Sequence, residues 1–392
     1  MMPPPSDNVL LFGQSHRTLL YAACQTLFRH RPMRPTHALV GFEPGWLTQS
    51  RFLGSVKELP GASTDEMTRL RLLIEWGESL GGGFLLPVDS DDYRFVARHQ
   101  ASLPSSIRPV PMMEASLLDT VTDKLGFARM AAEMGIPVPE THSLSEFLGD
   151  PNRQKGQRFP CVVKRARGMG GTGSYVARSL EELQVRARQA CRPSDWLVQT
   201  WVPGVDVALT LLADRGVVFA AVMRRRWFTQ RNQHSFSPIQ NVEFFHEPWL
   251  EQWGRRWVEA LRFSGIADFD LRVDFGRKAA WFLECDPRLM AGMLSCGLFG
   301  VNVPGLLVDC VQQGFALEAC RRPEPGCYLS AGALPEWILS AEWRKPRPAS
   351  LRTGLPTLGA DPVASLVRMR DALVHRIVLK RGGREKEQGS LL

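Results

Sequence analysis

Apolar residues recur along the first third of the chain in two alternating rhythms. Residues 8–30, NVLLFGQSHRTLLYAACQTLFRH, open with a continuous apolar run from Val9 to Phe12. After a glycine turn they pass into a helical spacing carried by Leu19, Leu20, Ala23 and Leu27. HALVGF predicts a second strand, MTRLRLLIEWGESL a helix, GGGFLLPVD a further strand and DDYRFVARHQASL another helix. Strands that alternate with helices call for a parallel sheet with helices on its faces, so residues 1–118 are expected to form one α/β domain. The turn after its first strand, GQSHRT, holds one glycine and offers no dinucleotide fingerprint.

From Thr122 the pattern changes. TDKLGFARMAAEMGIPVPET predicts an Asp-capped helix that stops at Gly135 before a proline-bracketed extended stretch. FPCVVKRARGMGGTGSYVARSLEEL, WLVQTWVPGVDVALTLLA and GVVFAAVMRRRWF then read as strands with few helices between them. WLEQWGRRWVEALRF is an amphipathic helix, and ADFDLRVDFGRKAAWFLECDPR is a strand pair joined by a short turn at Gly276 to Lys278. Residues 323–356 are proline-rich. A helix capped by Asp361, with Pro362 in its first turn, is expected to run from there to about Lys380.

Composition narrows the class. In 392 residues, 22% are charged and 9% aromatic, as in a globular protein with room for two or three packed domains. No apolar run approaches the roughly 18 residues of a membrane span, and the start lacks the regions of a signal peptide, so a cytoplasmic location is expected. The cysteines, Cys24, Cys161, Cys191, Cys285, Cys296, Cys310, Cys320 and Cys327, show no CxxC or zinc spacing and read as reduced, with Cys161 and Cys285 in the core. The net charge of +8 is uneven: residues 320–392 hold 13 Lys/Arg against 7 Asp/Glu. No aromatic-interleaved basic strand or recognition helix accompanies it, which argues against nucleic acid and for a solvated or docking surface.

Three stretches carry chemistry. Gly168, Gly170 and Gly173 spell a literal GxGxxG, but a strand follows it, and Lys164 precedes it. A strand, a glycine loop and a strand make a hairpin whose free N–H groups can fold over phosphates as a lid. In WLVQTWVPGVDV, an apolar strand breaks so that backbone groups of residues 200–202 could lie against a flat base, with Asp206 near ribose hydroxyls. Asp268, Asp270 and Asp274 share one strand face, as Glu284 and Asp286 share one face of the next. Carboxylates gathered among such apolar neighbours are costly unless cations lie among them, and Mg²⁺ suits a few carboxylates with phosphate oxygens. Beyond these, Arg224, Arg225 and Arg226 are equivalent candidates for a carboxylate clamp, and His234 reads as a surface histidine.

The order of these motifs resembles the ATP-grasp superfamily of carboxylate–amine ligases, the group of D-alanine–D-alanine ligase and the synthetase halves of carbamoyl-phosphate synthase, over roughly residues 8–315. The similar stretches are DKLGFARMAAEMGIPVPET, VVK with the glycine loop, VQTWVPGVD, FLECDPRLMAG and the helix CGLFGVNVPGLLVDCVQQG. The resemblance implies an ATP-grasp fold, α/β and α+β in class, with a Rossmann-like pre-ATP-grasp domain at 1–118. The ATP-grasp domain would occupy 119–318, as a lid at 155–205 and a metal-bearing part at 206–318, with a basic extension at 319–392.

The resemblance also implies roles. Lys124 and Lys164 would contact ATP phosphates, with Gly170, Gly171, Thr172, Gly173 and Ser174 closing over them; Gln199, Trp201 and Val202 would border adenine and Asp206 would hold ribose. The metal carboxylates would be Asp270, Glu284 and Asp286, the last where the family usually has Asn, with Arg288 and Lys164 stabilising charge during catalysis. The implied cofactors are ATP and Mg²⁺, with Mn²⁺ as an alternative metal. The implied partners are a small carboxylate and a small amine, joined with release of ADP and phosphate, in a chain able to form a homo-oligomer. Two other readings stay open: a ligase that modifies a protein or other macromolecule, and a degenerate ATP-binding regulator.

Overall fold

In a computed structural model of the chain, the residues described are 6–30, 35–60, 65–168, 174–187, 192–227, 241–313, 319–339 and 350–367. The first sheet is parallel, with strands β1 (Val9–Gly13), β2 (Thr36–Val40), β3 (Ser55–Glu58), β4 (Gly83–Pro87) and β5 (Ile107–Pro109) in the order β3-β2-β1-β4-β5. Every residue of β1 and β4 is buried, which is why these strands read as continuous apolar runs: helices cover both faces. Helices α1 (Arg17–His30), α2 (Glu66–Ser79) and α3 (Ser90–His99) make the connections, as the alternation predicts.

Beyond this sheet, α4 (Ala115–Thr122) and α5 (Lys124–Glu133) meet at Asp123, which ends the first and caps the second by accepting from the Leu125 and Gly126 amides. The short α4 was not legible as a separate element. The second sheet, with strands β6 (Thr141–Ser143), β7 (Cys161–Arg165), β8 (Tyr175–Ala177) and β9 (Trp196–Thr200), has the order β6-β9-β7-β8 and its own small core around Phe147, Cys161, Val163 and Val198. The expected hairpin is present as the antiparallel pair β7–β8, with Val163 opposite Tyr175; Gly170, Gly171, Thr172 and Gly173 lie outside the described residues.

The third sheet holds β10 (Val205–Asp214), β11 (Val217–Arg226), β12 (Asn241–Phe245), β13 (Gly265–Asp274), β14 (Ala279–Asp286), β15 (Gly326–Leu329) and β16 (Leu351–Thr353), in the order β14-β13-β10-β11-β12-β15-β16. The amphipathic helix Pro248–Ala260 packs on it through Gly254, where a Cβ would stand 2.8 Å from a Leu209 methyl and 2.9 Å from one of Leu211. At the break before β10, Gly204 has φ +111°, and a Cβ there would stand 2.4 Å from the Val273 carbonyl oxygen. Only glycine lets the chain pass that close to β13.

The C-terminal part is more than the single helix expected of it. β15 and β16 extend the third sheet, with the helix Leu334–Leu339 between them. Residues 362–367 are helical, and Asp361 docks on the N-terminal sheet's helices and loops by accepting from Tyr21 (2.9 Å) and Ser50 (2.5 Å). The rest of that expected helix, 368–380, lies outside the described residues, as does His234. Cys24, Cys161, Cys285, Cys296 and Cys327 are buried thiols, and Cys310 and Cys320 partly so. Among the described residues, no helix is long and apolar enough to cross a membrane.

A buried carboxylate pins the extension to the helix Pro248–Ala260. Glu251 accepts from Arg255 (2.6 Å), from two nitrogens of Arg322 (2.8 and 3.0 Å) and pairs with His246 at 2.9 Å. Burial pushes its pKa up, but the hydrogen bonds from Arg322 and Arg255 outweigh it and hold the group down at about 2, against an ordinary 4.5. A depressed carboxyl stabilises the fold fully above pH 4.5 and loses that contribution as the pH falls toward 2. Because solvent reaches both arginines, we expect Glu251→Gln to cost about 2 kcal/mol at neutral pH, below the figure for a fully buried pair. Denaturant melts from pH 7 to pH 2 should show the variant closing on the wild type only in acid.

Candidate active site

The site grows from the pairing of two strands. β13 and β14 run antiparallel, with Asp270 opposite Glu284 and Asp268 opposite Asp286; an irregularity after Asp270 places Leu271 opposite Phe282. The period of two sends Phe269, Leu271 and Cys285 into the core and the carboxylates to the other face. Asp274, beyond the irregularity, points elsewhere: its side chain accepts from the Arg277 amide in the β13–β14 turn.

Glu284, Asp268 and Asp286 each pair with a cation, and those of Glu284 and Asp268 come from other elements. Lys124, at the start of α5, places Nζ 3.1 Å from Glu284 Oε2 and donates to the Gly168 carbonyl at 2.8 Å. Lys164, at the end of β7, places Nζ 3.8 Å from the same Glu284 oxygen. Burial and the neighbouring Lys124 lower the pKa of Lys164 against the pull of Glu284 and Asp270. Burial works to raise Glu284, but the two lysines prevail and hold it below its ordinary range.

Asp270 opens onto the cleft, yet the protein walls strip away much of its bulk water, and with Glu284, Asp268 and Asp286 around it its pKa rises well above 3.8. Burial raises Asp286 to about 6, with Arg288 opposing and Glu284 adding. Asp268 accepts from one nitrogen of Arg224 at 2.9 Å through both oxygens, and from the Thr210 hydroxyl.

Arg288 links the cluster to the N-terminal sheet. Its Nη2 lies 2.8 Å from Asp286 Oδ2, and its Nε lies 3.3 Å from Oδ1 of the buried Asp89, just behind β4. Toward the second sheet, Gln199 is buried and donates to Thr141 at 2.9 Å. Asp206 pairs with Arg272 at 2.8 Å, and that guanidinium lies 5.2 Å from the Trp201 ring centre. Val202 is buried beside them.

The expected residues therefore fall into two groups. Lys124, Lys164, Asp270, Glu284, Asp286 and Arg288 converge in one place. Gln199, Trp201, Val202 and Asp206 line the join of β9 to β10, and Ser174 stands directly before β8. Asp89 and Thr210 were missed, while Asp268 and Arg224 were named as candidates but not joined to each other. Of these, Asp89 had a signal in the run LLPVDSDD, an acid at the end of a buried parallel strand, where ligands of open sheets gather.

The donor set suits a hard divalent cation. Glu284 and Asp270 stand opposite each other, the first held below its ordinary range by the lysines and the second raised by burial and by the acids around it. Oxygen-only ligands of this kind fit Mg²⁺ or Mn²⁺ better than softer metals. As the side chains stand, among the described residues no three acidic, histidine or cysteine groups enclose a common point.

Residues 192–331 match the family model described as ATP-grasp in the biosynthetic pathway with Ter operon. The chain is similar to a D-aspartate ligase of Enterococcus faecium (strain Aus0004), at 22% identity over 242 residues, 56% of this chain and 57% of that protein. It thus spans little more than half the length of this curated relative. Its fold is similar to the biotin carboxylase domain of the Hydrogenobacter thermophilus 2-oxoglutarate carboxylase, in complex with MgADP, ADP and bicarbonate. That likeness has TM-score 0.60 and 14% identity, over 81% of this chain and 73% of that one. It is likewise similar to an L-amino acid ligase from Bacillus licheniformis, with TM-score 0.59 and 14% identity, over 82% and 78% of the two chains. The chain therefore has the ATP-grasp fold that its motifs imply.

Arg288 offers a direct test of this architecture. Its loss would leave Asp89 and Asp286 without their shared cation, so we expect Arg288→Ala to lower stability by about 3 kcal/mol. Equilibrium unfolding of that variant beside Arg288→Lys checks it, and the lysine should recover only part, since one ammonium cannot span both carboxylates.

Proposed function

We propose that this protein is an ATP- and Mg²⁺-dependent ligase that activates a small carboxylate as an acyl phosphate and joins it to a small amine, releasing ADP and phosphate. One observation carries the reading: Lys124 and Lys164, from two different elements, converge on Glu284 beside Asp270. Two ammonium groups and a carboxylate pair at the mouth between two sheets form a binding surface for a polyphosphate and its cation, and a structural ion pair requires only one lysine.

In this reading Gln199, Trp201 and Val202 border the adenine, and Asp206, steadied by Arg272, accepts from the ribose hydroxyls. Lys124 and Lys164 donate to phosphate oxygens, and the loop from Gly170 through Gly171, Thr172 and Gly173 to Ser174 closes over them and excludes water. Asp270, Glu284 and Asp286 would hold Mg²⁺, which when bound neutralises charge on the β- and γ-phosphates. A substrate carboxylate oxygen attacks the γ-phosphorus, and the bond to ADP breaks. The amine nitrogen then attacks the acyl carbon, and phosphate leaves. Arg288 faces the charge that develops in both steps, and Lys164 shares it in the first. The names of the curated relative and of the Bacillus ligase support an amino acid as one substrate. We place the reaction in the cytoplasm and allow for a homo-oligomer.

Phosphate release from ATP, measured with pooled carboxylates and amines and followed by mass spectrometry of the product, tests the proposal. We expect turnover that stops on chelation, returns with Mg²⁺ and falls at least about 10²-fold in Glu284→Gln. Equal release by wild type and variant across every pool would overturn it.

A further inference from the structure

We propose that His16 is the base that takes the proton from the incoming amine, at a crevice between β1 and β4; the assignment rests on the ligase reading above. In an open parallel sheet a ligand crevice forms beyond the strand ends where neighbouring connections part. With the order β3-β2-β1-β4-β5, the chain leaves β1 toward β2 and returns at β4 on the other side, so the parting falls between β1 and β4.

The β2 side of the β1 loop is closed. The Gly41 amide donates to the Gly13 carbonyl at 3.1 Å, and a Cβ at Gly41 would stand 2.9 Å from the Gln14 carbonyl oxygen. Arg17 donates to the Glu43 carbonyl and lies over the Phe42 ring. On the β4 side the loop rests on two buried acids. Gln14 donates through its backbone and its side-chain amide to Asp92 Oδ1, each at 3.1 Å, and Ser15 donates to Asp89 Oδ2 at 3.2 Å.

His16 is thus left on the rim of a rigid floor. Its Nε2 lies 3.5 Å from Asp89 Oδ2, and its side chain keeps 44% of its exposure, while that of Asp89 keeps 5%. The other oxygen of Asp89 faces Arg288, which in turn holds Asp286, so a short run of side chains joins the imidazole to the carboxylate cluster. The placement matches a chemical need. An amine at neutral pH carries an extra proton and has no free electron pair; Lys124, Lys164, Arg224 and Arg288 cannot take that proton while they are cationic, and in the ligase reading Asp270, Glu284 and Asp286 are engaged with the metal. Histidine is the side chain suited to do so near neutrality.

The step balances. The ammonium passes one proton to His16, and the freed nitrogen pair forms the bond to the acyl carbon. The carbon–oxygen bond to phosphate breaks with its electrons on the phosphate oxygen. The second nitrogen proton leaves with the phosphate, and His16 returns its own to solvent. Asp89 acts through His16 and Arg288 as a positioning residue.

The test compares two nucleophiles with the pooled amino acids as carboxylates: hydroxylamine, largely unprotonated at neutral pH, which gives a hydroxamate, and the amino groups of the same pool, which give amides. Amide and hydroxamate are measured in wild type, His16→Gln and His16→Ala. We expect the ratio of amide to hydroxamate to fall about 10²-fold or more in both variants, with added imidazole restoring part of it in His16→Ala. A ratio within about threefold of wild type in both variants overturns the assignment. A fall that imidazole leaves untouched also overturns it, since that outcome marks a role in placing the amine. The absence of hydroxamate from the wild type would instead strike the ligase reading, and this assignment with it.

Discussion

Four carboxylates at the paired ends of β13 and β14 set the constraint on which the rest of the molecule depends. Asp268, Asp270, Glu284 and Asp286 face one another across two strands, an arrangement that a low-dielectric interior penalises heavily without counter-charge. The counter-charge comes from Lys124 of α5, Lys164 of the second sheet, Arg224 of β11 and Arg288 just past β14, which reaches on to Asp89 behind β4. One electrostatic debt thus fixes how the three sheets meet. The core residues beneath, Phe269, Leu271 and Cys285, supply packing but are non-directional, and they would tolerate other registers of the same apolar pattern.

The backbone makes this possible through local devices. The irregularity after Asp270 ends the common face before Asp274, which is free to cap the turn instead. Gly204 brings the start of β10 against the Val273 carbonyl, so that Asp206 lies opposite Arg272 and the join between the second and third sheets sits beside the cluster. The nucleotide proposed for this site would bridge the two sheets whose relative placement the lysines already govern.

Much of this was legible in the sequence, and what was not has a physical reason. The parallel sheet, the β7–β8 hairpin and the β13–β14 pair announce themselves because their signals are local: periodicity, a cap at Asp123, glycines in a turn. Lys124, Lys164 and Glu284 were legible as candidates through the order of the motifs that carry them, DKLGFARM, VVK and FLECDPR. Arg224, Arg225 and Arg226 read as equivalent, and the strand separates neighbours by sending them to opposite faces. Arg224 joins Asp268, while Arg225 forks onto Glu243 at 2.8 and 3.0 Å and lies over Phe245. β15 and β16 are short and pair only with partners distant in sequence, so no window of residues could reveal them. The partner of Asp89 was hidden for the same reason, since its cation, Arg288, comes from the far end of another sheet.

Asp286 shows how one departure from a family pattern becomes intelligible in its surroundings. An amide there would accept a hydrogen bond from Arg288 but would bring no charge to balance it. The guanidinium would then have Asp89 as its one remaining ion-pair partner, and Asp89 is already shared among Ser15, the Ser90 amide and His16. With an acid at 286, Arg288 is held between two carboxylates, one on the edge of the proposed metal site and one just beyond the end of β4. Its position then reports on both. The extra negative charge, which raises the cost of the carboxylate cluster taken by itself, is what couples that cluster to the N-terminal sheet.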